Sequence, residues 1–180
     1  MYLRGMSSYR LMLYFLAAFL VSSAVVARAG VLPYPASVLV LQALLLPAAC
    51  WVFNAAAARW ARVPSNPESS LITGLILAAT AGPLLLPHAW LPLLVLVGSA
   101  VASKYLLVIR RSHVFNPAAA GMFVSAAALG MPVSWWTGSP ELASLTAAGG
   151  LAVLWKTRRL GMAVSFLLSY LGLLGLELLF

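Results

Sequence analysis

Seven apolar segments fill most of this chain, and short polar connections separate them. They cover residues 11–27, 36–57, 69–86, 91–109, 117–131, 142–155 and 160–180. A membrane-spanning helix needs about 20 mostly apolar residues, with a lower limit of about 17, so the fifth and sixth segments are short for a straight crossing. The pattern predicts an all-α, polytopic integral membrane protein with about six to seven membrane segments, some of them half-helices.

The composition supports this interpretation. Hydrophobic residues make up 63% of the 180 residues, charged residues make up 8%, and the mean hydropathy is +1.01. A soluble protein of this size could not cover so much apolar surface with so few polar side chains. The formal charge of +8 would suggest nucleic acid in a soluble chain, but here the basic residues form short clusters between apolar segments. We therefore expect the lipid bilayer as a partner, and no nucleic acid.

The basic clusters predict the orientation of the chain in the membrane. They are Arg4 with Arg10, Arg59 with Arg62, Arg110 with Arg111, and Lys156 with Arg158 and Arg159. With seven segments, all four clusters fall on one side, and only Arg28 falls on the other. Because cytoplasmic loops carry an excess of Lys and Arg, we expect a multi-pass protein of a bacterial-type inner (plasma) membrane with a cytoplasmic N-terminus.

The first segment also has features of a secretory signal peptide. Arg4 and Arg10 precede it, and it ends in Ala27-Arg28-Ala29, an A-x-A pattern. Its apolar run is longer than a typical signal core of about 7 to 15 residues, so we expect retention as a membrane helix. Cleavage of residues 1–29 is the alternative and would leave the other segments unchanged. We treat residues 1–180 as a single transmembrane domain.

Few residues could support metal or hydrolytic chemistry. Cys50 is the only cysteine, and the chain has two histidines and three acidic residues. We therefore expect no intrachain disulfide and no metal site. The chain contains no GxSxG, Walker or HExxH sequence and no paired carboxylates, so hydrolase, nucleotidase and protease functions have no support. No catalytic residue is assigned.

The stretch from Lys104 to Gly121, KYLLVIRRSHVFNPAAAG, places basic residues next to an Asn-Pro pair and a run of small residues. Pro117 suits the first turn of a helix, and Asn116 can accept from the free backbone donors there. The small run up to Gly121 lets another backbone or a flat ligand approach closely. Lys104 is expected to snorkel to the headgroups, with contact to a flavin phosphate or a quinone oxygen as the alternative.

The loop VPSNPESSLIT, residues 63–73, predicts a second such helix start. Ser65, Asn66, Ser69 or Ser70 could each cap it. Capping alone would explain this loop. The alternative is functional: a half-helix containing Thr73 and Gly74 would pack against the face from Ala118 to Gly121, and both helix starts would direct free N–H groups at an anionic or electron-rich ligand.

The predicted outer loop MPVSWWTGSPE, residues 131–141, contains two adjacent tryptophans. Trp135 and Trp136 at a membrane boundary are typical of interfacial anchors. Stacking of these rings on an isoalloxazine or quinone ring is the alternative.

Two blocks of this chain resemble the D-type membrane protein of the Rnf ion-translocating electron-transport complex and the related B-type membrane protein of the sodium-pumping NADH:quinone reductase. Residues 64–75 are similar to the family's PS…SxLxTGLLL segment, and residues 104–121 are similar to its K-x-L…FNPA…G segment. The two blocks also match in order and spacing, and together they cover about the middle third of the chain. The FNPA block is the more specific of the two.

The resemblance implies a multi-span helical protein built from two inverted repeats that binds flavin. Family members carry FMN attached through its phosphate to a threonine in an SGAT motif on the outer side. This chain has TGSPELASLTAAGG in the corresponding region, which offers Thr137 and Thr146 but no SGAT. Its 180 residues correspond to about one repeat and the start of a second, so a partner would supply the rest.

These observations predict a membrane subunit of an Rnf/Nqr-like electron-transport complex, an oxidoreductase subunit coupled to cation transport, with FMN or riboflavin as cofactor. The expected cofactor-binding residues are Ser69, Thr73, Gly74, Lys104, Asn116, Pro117, Gly121, Thr137 and Thr146. Other membrane subunits or a homo-oligomer are the expected protein partners. The alternatives are a small-solute channel or transporter that uses the same half-helices, and a cofactor-free scaffold subunit of a membrane complex. The missing SGAT motif favours these alternatives.

Overall fold

Each of the seven apolar segments overlaps one helix in the computed structural model, which describes residues 7–83, 89–109, 112–131 and 136–177. The helices are α1 Ser8–Arg28, α2 Ala36–Ala61, α3 Pro67–Thr80, α4 Trp90–Leu106, α5 Pro117–Leu129, α6 Ala143–Thr157 and α7 Leu160–Glu177. Two 3₁₀ turns, Trp136–Gly138 and Pro140–Leu142, precede α6. The prediction of an all-helical protein is therefore confirmed.

Within the described residues, three helices, α1, α2 and α7, are long and apolar enough to cross a membrane by length and composition. The helices α4 and α5 are apolar but shorter. At about 1.5 Å per residue, the 13 residues of α5 rise about 20 Å, which is less than the roughly 30 Å of a hydrocarbon core. The fifth segment is thus a short helix, as its length predicted.

Asn-Pro pairs begin both α3 and α5. The Asn116 side chain accepts a hydrogen bond from the Ala118 N–H at 2.9 Å, and Pro117 occupies the first turn. In the same way Asn66 accepts from the Ser69 N–H at 3.2 Å. Both helix starts confirm the prediction from sequence, because the capping oxygen accepts from one free N–H and the proline has no N–H that needs a partner.

The third and fourth helices end earlier than the apolar runs do. Helix α3 ends at Thr80 instead of continuing through 86, because Gly82 and Pro83 follow and proline cannot continue a helical ladder. Residues 84–88 lie outside the described parts of the chain. Helix α4 ends at Leu106, and the β-branched pair Val108–Ile109 (β1) forms a short antiparallel ladder with Ser112–His113 (β2).

Helices α1 to α5 enclose the core, and α6 and α7 lie outside it. Leu46, Leu77 and Leu96 are fully buried where α2, α3 and α4 meet. Neither α6 nor α7 has a buried residue, although Gly149 of α6 lies against the Phe15 ring of α1. A helix that is apolar on every side and unburied by its own chain is suited to contact with lipid or with another helix.

One end of the bundle, here called the basic end, contains the starts of α1 and α3 and the ends of α2 and α4. Arg10 donates from Nε to Glu68 Oε1 at 3.1 Å, which joins the starts of α1 and α3. Tyr105 near the end of α4 bonds to Asn54 of α2. Arg59 and Arg62 lie in the last turn and at the C-cap of α2. The structure therefore gathers basic residues that are far apart in the sequence.

Candidate functional site

A cavity of ≈ 410 Å³ lies at the basic end, between the end of α2, the start of α3 and the end of α4. Its polar lining residues are Asn54, Asn66, Ser69, Lys104 and Tyr105. The other lining residues are apolar and include Trp60, Val63 and Leu106. This volume and the mixture of apolar walls with a few polar groups are typical of small-molecule sites.

Lys104 is the central residue of this cavity. Only 7% of it is exposed, and its ammonium group donates to the Ser69 carbonyl oxygen at 3.3 Å and reaches Ser69 Oγ at 3.5 Å. Snorkelling to the headgroups, the role expected from sequence, is therefore wrong: the side chain points across to α3. The cause is the short distance to the start of α3, where the carbonyl oxygen and the hydroxyl of Ser69 lie within reach of the ammonium group.

The charge of Lys104 is only weakly compensated. Both contacts are longer than a typical charge-assisted hydrogen bond of about 2.7–2.9 Å. Among the described residues, no carboxylate lies within salt-bridge distance of this ammonium group, and the nearby acid Glu68 bonds to Arg10. A buried ammonium without an anion is unfavourable. The cavity therefore favours an anionic or electron-rich ligand.

The start of α3 adds a second favourable feature. Asn66 caps the helix, so the capping explanation of the loop is confirmed with Asn66 as the cap. The Ser69 carbonyl oxygen also accepts from Thr73 Oγ1 at 2.8 Å. Ser69 lies in the first turn of α3, and the Lys104 ammonium group contacts it there. Both groups are therefore at the positive end of the α3 dipole, which stabilises negative charge nearby.

Asn54 and Tyr105 form the opposite polar wall and were not predicted as site residues. Tyr105 Oη lies 3.2 Å from both the carbonyl oxygen and Oδ1 of Asn54, which is 4% exposed. The available signal was Asn54 itself, a lone amide in the apolar run of α2 from Ala43 to Ala58. Polar side chains inside membrane helices tend to face the protein interior and to have a function.

The two glycines expected to bring α3 and α5 together face other helices. A Cβ placed on Gly74 would come 2.6 Å from the Pro47 nitrogen of α2. A Cβ placed on Gly121 would come 2.7 Å from both Ala100 Cβ and the Leu96 carbonyl oxygen of α4. The small-residue crossing between these glycines is thus not formed, because each one admits a different neighbour, although α3 and α5 also contact each other.

The other expected cofactor residues lie away from the cavity lining. Asn116 and Pro117 form the start of α5, and Thr73 points its hydroxyl back at its own helix. Ser69 and Lys104 are therefore the two members of the expected set that the structure brings together around one cavity. Arg110 and Arg111 lie outside the described ranges.

Trp136 and Thr137 have structural partners at the buried end of α3. Trp136 is 7% exposed and donates from Nε1 to the Ala78 carbonyl oxygen at 3.1 Å, so its role as an interfacial anchor is wrong. Thr137 is 4% exposed and donates to the Ala79 carbonyl oxygen at 3.0 Å. Gln42 also donates to Ala78 at 3.1 Å. These side chains replace backbone donors lost where α3 stops short.

The two threonines considered for covalent flavin differ in accessibility. The Thr137 hydroxyl is buried and engaged, so it does not fit attachment of a bulky phosphoester in this arrangement. Thr146 lies on the exposed surface of α6 and donates to the Leu142 carbonyl oxygen at 2.9 Å. Neither residue lines the cavity that contains Lys104. Trp135 lies outside the described residues.

Comparison of the chain with protein-family models, with curated proteins and with solved structures finds no match.

Proposed function

We propose that this protein is a membrane subunit of an electron-transport complex of the Rnf/Nqr-like kind, and that the cavity around Lys104 binds flavin. In this proposal the chain crosses a bacterial-type inner membrane with six to seven segments, and its basic end faces the cytoplasm. The basis for the membrane arrangement is the Lys and Arg distribution, and the basis for the redox role is the resemblance of residues 64–75 and 104–121.

The observation that carries the proposal is the weakly compensated ammonium group of Lys104, which has no carboxylate partner among the described residues. It is buried beside a ≈ 410 Å³ cavity, and its two contacts to Ser69 are long at 3.3 and 3.5 Å. A ligand that gains negative charge on reduction would be stabilised there more in its reduced state than in its oxidised state. Lys104 would therefore raise the reduction potential of a ligand bound in contact with it.

Each group of cavity residues would contact a different part of FMN or riboflavin. Lys104 and the start of α3 would hold an anionic or electron-rich edge, and Ser69 Oγ could accept or donate a hydrogen bond beside it. Tyr105 and Asn54 would fix the orientation of polar ring atoms. Trp60 and Leu106 provide apolar walls beside the ring. Bound flavin supplies the transfer of electrons, and the chain's residues supply binding, orientation and electrostatics.

The state of Thr137 and the sequence around it favour noncovalent binding of the flavin. Thr137 is buried in a structural hydrogen bond, and the SGAT motif is absent. The test is an absorption spectrum of the native preparation together with an in-gel fluorescence scan of denatured protein. We expect flavin absorbance in the native sample and no fluorescence after denaturation. A native sample without flavin absorbance, before and after cofactor supplementation, would contradict the proposal.

A cofactor-free scaffold subunit is the second candidate. The observation that favours it is the absence of any buried residue in α6 and α7, although both helices are apolar. Such helices are suited to pack against other subunits. Copurification of partner subunits with α6 and α7 at their interface, with no flavin in any preparation, would select this function.

A further inference from the structure

We propose that the groove between α1, α2 and α3 binds one acyl chain of an anionic membrane phospholipid. This groove has a volume of ≈ 550 Å³ and is separate from the cavity around Lys104. Every residue that lines it is apolar, from Leu13 on α1 to Leu75 on α3. Among the lining residues that the structure describes, the indole N–H of Trp51 is the one hydrogen-bonding side-chain group. A single donor at one end of the groove cannot orient a polar solute, so the occupant is hydrocarbon.

The groove exists because small residues face one another across two long helices. Ala17 and Ala24 line it from α1, and Ala43 and Ala48 line it from α2. Pro47 lies at its back, where the close approach of Gly74 holds α3 against α2. The packed helices therefore leave a lengthwise channel that their own side chains do not fill.

The dimensions of the groove match one lipid chain. Its wall on α1 runs from Leu13 to Ala24, and its wall on α2 runs from Val40 to Trp51. Each wall covers eleven residue steps, about 16 Å of helix rise. This is about half of the roughly 30 Å hydrocarbon core, which is the depth that one leaflet fills. Both walls belong to helices long and apolar enough to cross a membrane.

Arg10 provides the charge complementarity for an anionic headgroup. It lies three residues before Leu13, one helical turn away on the same face of α1. Its side chain is 62% exposed, and its bond to Glu68 uses only Nε. A guanidinium group has five N–H donors, so the terminal amino groups can still contact a phosphate. The groove and Arg10 thus form an apolar channel with a basic residue at its mouth.

The test is native mass spectrometry of the full-length protein released from detergent, after titration with phosphatidylglycerol or phosphatidylcholine. We expect saturable retention of one phosphatidylglycerol per chain, and weaker retention of phosphatidylcholine. Arg10→Gln should weaken the phosphatidylglycerol affinity about tenfold and abolish the difference between the two lipids. Equal retention of both lipids by the unaltered protein would overturn the assignment of Arg10 to the headgroup.

A matched pair of variants tests the groove itself. Ala24→Leu combined with Ala48→Leu places two isobutyl groups in the channel, and should abolish retention of the lipid. Ala18→Leu combined with Ala56→Leu makes the same change on exposed positions of α1 and α2 outside the groove, and should leave retention unchanged. Unchanged melting temperatures would show that both variants fold. Full lipid retention by the filled variant, or no retention by the unaltered protein, would overturn the proposal.

Discussion

Pro47 of α2 lies against Gly74 of α3 so closely that a Cβ on the glycine would come 2.6 Å from the proline nitrogen and 2.8 Å from the Leu46 carbonyl oxygen. Both obstacles are backbone atoms, which cannot rotate out of the way. The contact holds α3 against α2 and leaves Leu77 and Leu46 fully buried beside it. Three features depend on the resulting position of α3: the apolar groove between α1, α2 and α3, the cavity at the start of α3, and the buried carbonyl groups at its end.

Gly74→Ala should therefore destabilise the protein. Overpacking against fixed backbone typically costs about 1–3 kcal/mol. The control is Gly172→Ala in α7, where a new Cβ meets nothing within 4 Å. That change should be neutral or stabilise α7 slightly, since alanine has the higher helix propensity. The measurement is the thermal unfolding midpoint of each purified variant in one detergent, and equal midpoints would contradict the assigned contact.

The Thr137 hydroxyl should contribute to stability through the end of α3. The helical partner of the Ala79 carbonyl oxygen would be residue 83, which is proline and has no N–H. Thr137 supplies the missing donor at 3.0 Å, so Thr137→Val should cost about 1–3 kcal/mol by leaving a buried carbonyl unsatisfied.

Thr146→Val provides the matched control for that substitution. Thr146 is exposed, and its hydroxyl donates to the carbonyl oxygen of Leu142 one turn earlier, so removing it should change stability by less than about 0.5 kcal/mol. Chemical or thermal unfolding in detergent compares the two variants. If Thr146→Val lowered the stability as much as Thr137→Val, the hydrogen bond from Thr137 to the Ala79 carbonyl oxygen would not be the cause of the loss.

The contribution of the Asn116 cap of α5 to stability can be measured by the same unfolding experiment. Asn116→Ala removes the acceptor of the Ala118 N–H and should cost about 1 kcal/mol. Asn116→Ser keeps a capping oxygen and should retain most of the stability. A serine variant as unstable as the alanine variant would show that the amide acts through another contact.

Local features of this sequence predicted local structure well. Asn116 and Pro117 determine the start of α5 by themselves, because the cap and the missing N–H act within one turn. The apolar runs predicted the seven described helices, because the length and hydropathy of a run are also local properties of the sequence. The ends of α3 and α4 were less predictable, since hydropathy does not distinguish a helical residue from an equally apolar one beyond its end.

Tertiary partners could not be predicted from the same residues. Gly74 and Gly121 indicated close helix contacts, and both glycines do make them, but a missing side chain does not specify which neighbour approaches. Trp136 illustrates the same limit. Its ring suits an interface or a core equally. What decides its position is the Ala78 carbonyl oxygen at the end of α3, which accepts hydrogen bonds from side chains.

The orientation of the basic end can be tested by labelling single cysteines. In a Cys50→Ala background, Ser65→Cys places a thiol on the exposed connection between α2 and α3, and Val31→Cys places one on the connection between α1 and α2. An impermeant maleimide should label position 31 in intact spheroplasts, and position 65 only after permeabilisation. Labelling in the opposite pattern would invert the proposed orientation.

The most direct test of the proposed function is an equilibrium titration of purified protein with FMN and with riboflavin, followed by flavin fluorescence. We expect saturable binding to the unaltered protein, and affinity at least about tenfold weaker in Lys104→Met, because a charge-assisted hydrogen bond contributes about 1.5–3 kcal/mol. Lys156→Met in the last turn of α6, which removes a charge outside the cavity, should bind like the unaltered protein. Equal flavin affinity in the Lys104 variant and the unaltered protein, or no saturable binding in either, would contradict the assignment of this cavity.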